Sequence, residues 1–318
     1  MKRTENSLPV GKLLWVLLAL AMFARPSSAQ LNGFNIKGDM GSMAGTQAPV
    51  GMYVGAPFYW YDTSRINNSS GTQVNPGGSF DMFLGGPIFS WVTPLKLFGA
   101  NYGFTAALPI ANAVLEAPVF GENPSPGLSD MYIQPLNLGW HFKHADLTAG
   151  YGLYIPTGRY TAGANDNTGL GMWGNELFIG TTVYLDPEKK WHAASNASFE
   201  FHTQKKDSQA QVGNLMTLEG GLGRSFLKGA ANLGLAYYAQ WKLSDDNLTG
   251  IPSLLVQGRN STAALGPELT LPIATKKTLY GFFTFRYQWE VEARTTTQGT
   301  GMNVMVIFPL KPIKIPQN

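Results

Sequence analysis

The feature that most limits the fold of this chain is a strict alternation of apolar residues with polar or small ones. The stretch from residue 232 to residue 243 shows it most clearly. One set of alternate positions there is Leu233, Leu235, Tyr237, Ala239, Trp241 and Leu243, and the other is Asn232, Gly234, Ala236, Tyr238, Gln240 and Lys242. Successive side chains of a β-strand point to opposite faces, so one face suits lipid and the other suits water. The pattern therefore predicts an all-β, antiparallel transmembrane β-barrel.

The same alternation recurs along the chain and predicts about 12 strands. They are centred on residues 53–60, 80–92, 99–108, 131–142, 147–155, 176–185, 191–201, 215–226, 232–243, 263–271, 279–291 and 302–308. Short turns are expected at 93–96, 143–146, 186–190, 227–229 and 275–278. Longer polar loops are expected at 67–78, 117–129, 158–172, 204–212, 244–260 and 295–300. Alternating short and long connections are typical of periplasmic turns and extracellular loops, so we expect both chain ends in the periplasm.

The N-terminus has the pattern of a secretory signal peptide. Basic residues precede an apolar run at 13–23, and Ser27-Ser28-Ala29 supplies small residues for cleavage. Eleven apolar residues are too few for a spanning helix, which needs about 20, so an uncleaved anchor is the weaker alternative. We predict a signal peptide at 1–29, a periplasmic arm or a plug in the pore at 30–47, the barrel at 48–308 and a periplasmic tail at 309–318. The predicted location is the bacterial outer membrane.

Composition narrows the classes of function. Charged residues make up 14% of the chain, against about 25% in soluble domains. Cysteine is absent, which excludes disulfides, thiolate nucleophiles and cysteine metal sites. Removing residues 1–29 lowers the basic count from 23 to 19 and the acidic count from 20 to 19. A neutral mature chain has no net field to attract nucleic acid, and none is expected as a partner.

One motif resembles a known family. A strand ends in Pro156-Thr157-Gly158, and Tyr160, Asn165, Asn167, Gly169 and Trp173 follow it. The run Tyr237-Tyr238-Ala-Gln240 and the run Gly266-Pro267-Glu268-Leu269 are similar to later landmarks of the same family. Together they resemble the outer-membrane proteins of the meta-pathway of phenol degradation. The resemblance implies a barrel that admits aromatic and other organic compounds, without catalytic residues to carry over.

Parity assigns side chains to the lumen, because a charge facing lipid costs about 2 to 4 kcal/mol near the midplane. The inward candidates are Glu200, Glu219, Gln240, Lys242, Glu268, Arg286, Gln288, Glu290 and Glu292 with the aromatics Tyr154, Phe178, Tyr184, Tyr238, Tyr280 and Phe282. Pairing across the turn at 275–278 brings Glu268 near Arg286. That pair either sets a transverse field at a constriction or fills the lumen as a structural ion pair.

Catalysis has little support in the sequence. His192 and Ser195 are three apart on a predicted strand, so they point to opposite faces and cannot act as a base and nucleophile. No ligand pair has zinc-site spacing, and no metal or cofactor is predicted. We predict a passive channel for small organic, aromatic or hydrophobic compounds. The alternatives are a non-conducting structural or adhesion barrel and, less favoured, a membrane-embedded lipid hydrolase. The expected partners are outer-membrane lipids, small organic solutes and the barrel assembly machinery, since Phe308 resembles the terminal aromatic of an assembly signal.

Overall fold

A computed structural model describes residues 33–74, 77–117, 120–122, 125–164, 166–248 and 259–314. The predicted signal peptide and Asn165 lie outside these residues. Among the described residues, no helix is both long and apolar enough to cross a membrane. Twelve antiparallel strands instead form one closed sheet, because the last strand pairs with the first. The strands are β1 Gly51–Thr63, β2 Ser79–Gly85 with Ile88–Leu97, β3 Ala100–Ala107 with Ile110–Ala117, β4 Met131–His141, β5 Ala145–Ile155, β6 Gly174–Tyr184, β7 Trp191–His202, β8 Leu215–Phe226, β9 Ala231–Lys242, β10 Ser261–Ala274, β11 Thr278–Arg294 and β12 Thr300–Pro309.

The predicted alternation is confirmed on β9, the strand with the clearest pattern. Leu233 and Leu235 are 55% and 51% exposed, whereas Ala236 and Tyr238 are 0% and 2% exposed. Outward tryptophans lie near both ends of the strands and form the aromatic belts that membrane barrels place at the lipid–water interfaces. The exposed members of these belts include Trp60, Trp241 and Trp289 near the loops and Trp91 and Trp191 near the turns. The outer surface is therefore built for lipid.

Strands β2 and β3 are each broken in the middle. The breaks fall at Gly86-Pro87 and at Leu108-Pro109, which lie side by side because the Leu108 amide donates to the Pro87 carbonyl. Proline has no amide hydrogen for the ladder, so it interrupts regular pairing. The first half of β3, Ala100–Ala107, pairs with β4. The second half, Ile110–Ala117, pairs with two short strands of the following loop, Phe120–Glu122 and Gly127–Leu128.

The loops and the tail add further pairings. Ala210–Gln211 pairs with Asn247–Leu248, which joins the loop after β7 to the loop after β9. Ile313–Lys314 pairs with the start of β11 after the chain has left β12. The 3-10 turn Leu227–Gly229 connects β8 to β9 at the same end of the barrel as this tail pairing.

The prediction of a turn at residues 93–96 is wrong. That stretch belongs to β2, whose register with β3 is irregular between Val92 and Lys96. The turn lies at Phe98 and Gly99, both with positive φ (52° and 81°), as two-residue hairpin turns require. The proline at 94 was a misleading turn signal.

Two irregularities between β10 and β11 also overturn parity assignments. One lies where Ala264 pairs with Glu290 but Ala263 pairs with Glu292. This extra residue reverses the facing, so Ala293 is buried and Glu292 is exposed, where it pairs with Arg294 at 2.8 Å. The other irregularity lies beside Tyr280, which is exposed. Neither Glu292 nor Tyr280 is a lumen residue.

Candidate functional site

Residues 33–49, which we call the inner segment, lie inside the barrel. Their hydrogen bonds reach nine of the twelve strands, which is possible only for a segment enclosed by the sheet. The wall partners are Tyr53 of β1, Asn137 of β4, Thr182 of β6, Glu200 of β7, Glu219 of β8, Asn232 of β9, Glu268 of β10, Glu290 and Arg286 of β11 and Asn303 of β12. The lumen is therefore filled by a part of the chain that does not belong to the sheet.

The inner segment descends from the loop end of the barrel to the turn end. Phe34 contacts Glu200, which is near the loop end of β7. Gln47 contacts Asn137, which is in the lower half of β4. The segment then enters β1 at Gly51, at the turn end. It runs along the axis that a permeating solute would follow.

A buried carboxylate holds the upper part of the inner segment. Glu200 is 1% exposed and accepts hydrogen bonds from the backbone amides of Phe34 (2.7 Å) and Asn35 (3.1 Å). His202 Nε2 lies 3.3 Å from the same carboxylate. The ring of Phe34 stacks on Tyr154, with centroids 4.5 Å apart and planes 8° apart. Sequence parity placed Glu200 and Tyr154 inward but gave no sign that a chain segment was their partner.

The next contact is an ion pair between Lys37 and Glu290. The Lys37 Nζ lies 2.9 Å from Glu290 Oε1, and the side chains are 20% and 0% exposed. Glu290 also accepts the hydroxyls of Tyr61 (2.7 Å) and Tyr238 (2.8 Å). The ammonium group lies over both tyrosine rings, 5.4 and 5.7 Å from their centroids. An ionised carboxylate inside the lumen is thus matched by one cation and several donors.

A second charged group holds the middle of the inner segment. Register pairs Glu268 with Arg286, as the sequence predicted, and Nε lies 2.5 Å from Oε2. Ser42 donates its hydroxyl to Glu268 at 2.5 Å, and Arg286 donates to the Asp39 carbonyl at 2.6 Å. Glu219 accepts the amide of Gly38. The pair therefore binds the segment, and its predicted role in a pore stays a prediction.

Glycines let the inner segment approach the wall closely. A Cβ on Gly45 would overlap backbone atoms of Thr181, and a Cβ on Gly41 would overlap the Glu268 carboxylate. Any larger residue at these places would push the segment away from the sheet. Small residues at 38, 41 and 45 are the one sequence signal that could have favoured a plug over a loose arm.

The remaining lumen candidates lie at different levels between the loop end and the turn end of the barrel. Gln240, two residues from Tyr238 on β9, bonds to Thr217 at 3.0 Å, and Gln288, two residues from Glu290 on β11, is fully buried. Lys242 is buried at the loop end, where it pairs with Asp246 at 2.8 Å. At the turn end, Tyr184 donates to Asp146 at 2.6 Å. The register also turns Phe178 and Phe282 inward: Phe178 is two residues from Glu176 and six from Tyr184 on β6, and Phe282 is four residues from Arg286 on β11. Glu176, Tyr132 and His202 are inward residues that the sequence analysis did not single out.

The motif that carries the family resemblance builds the loop cover. Asp130 accepts the backbone amides of Gly158 (3.0 Å) and Leu170 (2.6 Å). Gly158 and Gly169 leave no room for a side chain on each other. Lys205 donates to the Leu170 carbonyl and lies over the ring of Tyr160. Thr157, next to Pro156, accepts the Met131 amide at 2.9 Å, and the Trp173 amide donates to Thr203 at 3.0 Å.

Burial shifts the pKa of Lys205 and of Asp130, the two charged residues of this cover described above. Desolvation lowers the pKa of Lys205 to about 8, although Asp130 and Asp246 oppose that shift. Desolvation also raises the pKa of Asp130, against two backbone hydrogen bonds. The loops are therefore held by polar contacts in a partly dry setting.

The histidines do not assemble a catalytic site with Ser195. His192 is fully buried in the lumen, whereas Ser195 bonds to Tyr237 on the outward face. The opposite facing that the sequence predicted is confirmed. In the described part of the chain, no group of three His, Cys, Asp or Glu side chains could hold a metal ion.

Comparisons with known proteins agree with this fold. The structure is similar to that of an outer membrane channel from Pseudomonas putida F1, at 14% identity and a TM-score of 0.71, over 86% of this chain and 99% of that one. The CymD monoaromatic hydrocarbon channel matches at 9% identity and a TM-score of 0.46, over 90% of this chain and 98% of that one. The latter TM-score is too low to support an argument. No curated protein matches the chain significantly.

The family comparison covers most of the barrel. Residues 63–306 match the family described as "Putative MetA-pathway of phenol degradation". This match includes the motif at 156–173, all of strands β2 to β11 and most of β12. The chain therefore belongs to this family, as an outer-membrane β-barrel.

Proposed function

We propose that this protein is an outer-membrane channel for small organic compounds, aromatic or hydrophobic, which cross by passive diffusion when the inner segment moves. The observation that carries the proposal is how the lumen is filled. A barrel with a purely structural role can fill its lumen with side chains of its own wall. Here a separate segment fills it, held by hydrogen bonds and two ion-pair sites rather than by sheet pairing.

The chemistry of the lumen supports organic solutes over anions. In the closed arrangement, Arg286 and Lys37 each face a carboxylate, so neither offers an unpaired positive charge to an anion. Aromatic side chains line the wall at several heights, among them Tyr154, Tyr238 and Phe178. Membership of a family named for phenol degradation is consistent with aromatic solutes.

Liposome swelling with matched solutes tests the proposal. Purified protein should let phenol-sized aromatic and aliphatic solutes enter liposomes faster than protein-free liposomes do. Aromatic solutes should enter faster than aliphatic ones of equal size. A non-conducting adhesion barrel predicts no entry of any solute, and that result would remove the proposal. A lipid hydrolase predicts release of fatty acid from the same liposomes.

A further inference from the structure

The loop end of the lumen contains an aromatic slot, formed by Tyr132, Tyr154 and His202 with the carboxylates of Glu176 and Glu200. The ring of Phe34 fills it. Phe34 is stacked on Tyr154, whose ring is 4.6 Å from that of Tyr132. The His202 ring is 6.0 Å from Phe34 on another side. Offset and tilted aromatic pairs at these spacings attract each other beyond simple burial.

The walls of the slot are held without help from Phe34. The hydroxyls of Tyr132 and Tyr154 both donate to Glu176, at 3.0 and 3.3 Å. His202 is held by Glu200. Gly174 forms another wall, and a Cβ there would lie 2.5 Å from the Phe34 ring. The slot is thus shaped for a flat ring and would keep its shape if the ring left.

Phe34 belongs to the inner segment and not to the wall. If residues 33–35 moved away, the slot would lose one ring, and Glu200 would lose the donors from Phe34 and Asn35. Glu200 would then keep only the His202 ring nitrogen beside it. A buried carboxylate that loses two donors is unfavourable, so the emptied site favours a ligand that brings a new donor as well as a new ring. A small aromatic molecule that carries a hydroxyl supplies both.

The slot is also placed where an entering molecule would arrive first. Tyr154, Gly174 and His202 are at or next to the loop ends of β5, β6 and β7. Asp130 directly precedes β4 and Lys205 follows β7, so the cover that they build lies at this same end of the barrel. A ligand in the slot would displace Phe34 before any contact deeper in the lumen.

We propose that the aromatic slot is a binding site for a monocyclic aromatic molecule with a hydrogen-bond donor, and that this ligand competes with Phe34. The proposal rests on the proposed function, since it names the solute class and the place where the solute first binds. Binding and release of the inner segment are thereby coupled, because the ligand takes the place of the segment's own ring.

Fluorine NMR of purified protein, titrated with 4-fluorophenol or fluorobenzene, tests this site. Phe34→Ala removes the competitor, and we expect 4-fluorophenol to bind about tenfold more tightly than to native protein, since a stacked and partly buried ring is lost. Phe34→Leu keeps bulk without a stacking ring and should give an intermediate gain. Phe201→Ala is the matched control, because Phe201 is next to Glu200 but 41% exposed on the outer face; it should bind as native protein does.

The hydroxyl preference separates this site from a general apolar lumen. In Phe34→Ala, 4-fluorophenol should bind about tenfold more tightly than fluorobenzene, because only the phenol donates to Glu200. Adding Glu200→Gln should remove most of that difference. Equal affinities in native, Phe34→Ala and Phe34→Leu protein, all migrating as folded barrels, would overturn the site and leave Phe34 as a packing contact. Because binding is measured without transport, liposome swelling can still succeed when this test fails, and the reverse.

Discussion

Lys37→Gln should release the inner segment while leaving the barrel folded. The change removes the cation that lies 2.9 Å from the buried Glu290 carboxylate. Breaking a buried ion pair costs about 3–5 kcal/mol. Because Glu290 keeps donors from Tyr61, Tyr238 and Gly299, we assign about 2 kcal/mol to the loss of this pair. Loss of contact with the two tyrosine rings adds about 1 kcal/mol.

A total of about 3 kcal/mol corresponds to a change of roughly 150-fold in the ratio of released to bound segment. Single-channel recording in a planar bilayer measures that ratio as open against closed time. The control is Lys206→Gln, which changes the same residue type at an exposed loop position. If Lys37→Gln protein opens no more often than native protein, the ion pair does not hold the segment, and the reasoning is refuted.

The other substitutions test the facing, the second ion pair and the loop cover. Leu235→Arg puts a charge toward lipid and should lower the unfolding free energy in vesicles by about 2–4 kcal/mol without opening the channel; a smaller loss would reject the outward facing. Ala236→Arg has no free volume, since Ala236 is fully buried, and should raise conductance by expelling the inner segment; unchanged conductance would contradict a filled lumen. Arg286→Glu places a second carboxylate beside Glu268 and should shift the reversal potential toward cation preference. An unchanged reversal potential would place residue 286 away from the permeation path. The loop cover should resist a broad-specificity protease better at pH 9.5 than at pH 7.5. The pKa of Lys205 is about 8 in the folded cover and near 10.5 in the unfolded cover. Because the unfolded cover binds more protons between these two values, the stability of the cover rises with pH there. Lys205→Met should remove that pH dependence.

The alternation of side chains was sufficient to predict the barrel, because every strand repeats the same signal. Parity also predicted the pairing of Glu268 with Arg286, since a hairpin fixes which residues lie opposite each other. It failed at Glu292, where an extra residue in β11 reverses the facing. A bulge shifts the phase of the alternation by one residue, but only three residues of β11 follow Val291, too few to show the shift in the sequence.

The contents of the lumen were harder to predict. The inner segment has no period, and its partners are carboxylates far apart in the chain, such as Glu200 and Glu290. Parity identified these acids as inward but could not show what neutralises them. Their partners, the Phe34 amide and Lys37, belong to a stretch whose only signal is the small residues at 38, 41 and 45. A plug and a loose arm share that composition, which is why the sequence left both open.

A reversible cross-link between the inner segment and the wall tests most directly whether the segment must move. A Cβ on residue 223 would lie 2.8 Å from the Ser42 Cβ, so a Ser42→Cys, Gly223→Cys protein needs a shift of about 1 Å to form a disulfide. The chain has no cysteine of its own. Oxidised double-variant protein should admit no solute to liposomes, and a reductant should restore entry, while Ser42→Cys alone should not respond. Solute entry through the oxidised protein at the reduced rate, with the cross-link confirmed by mass spectrometry, would contradict the account.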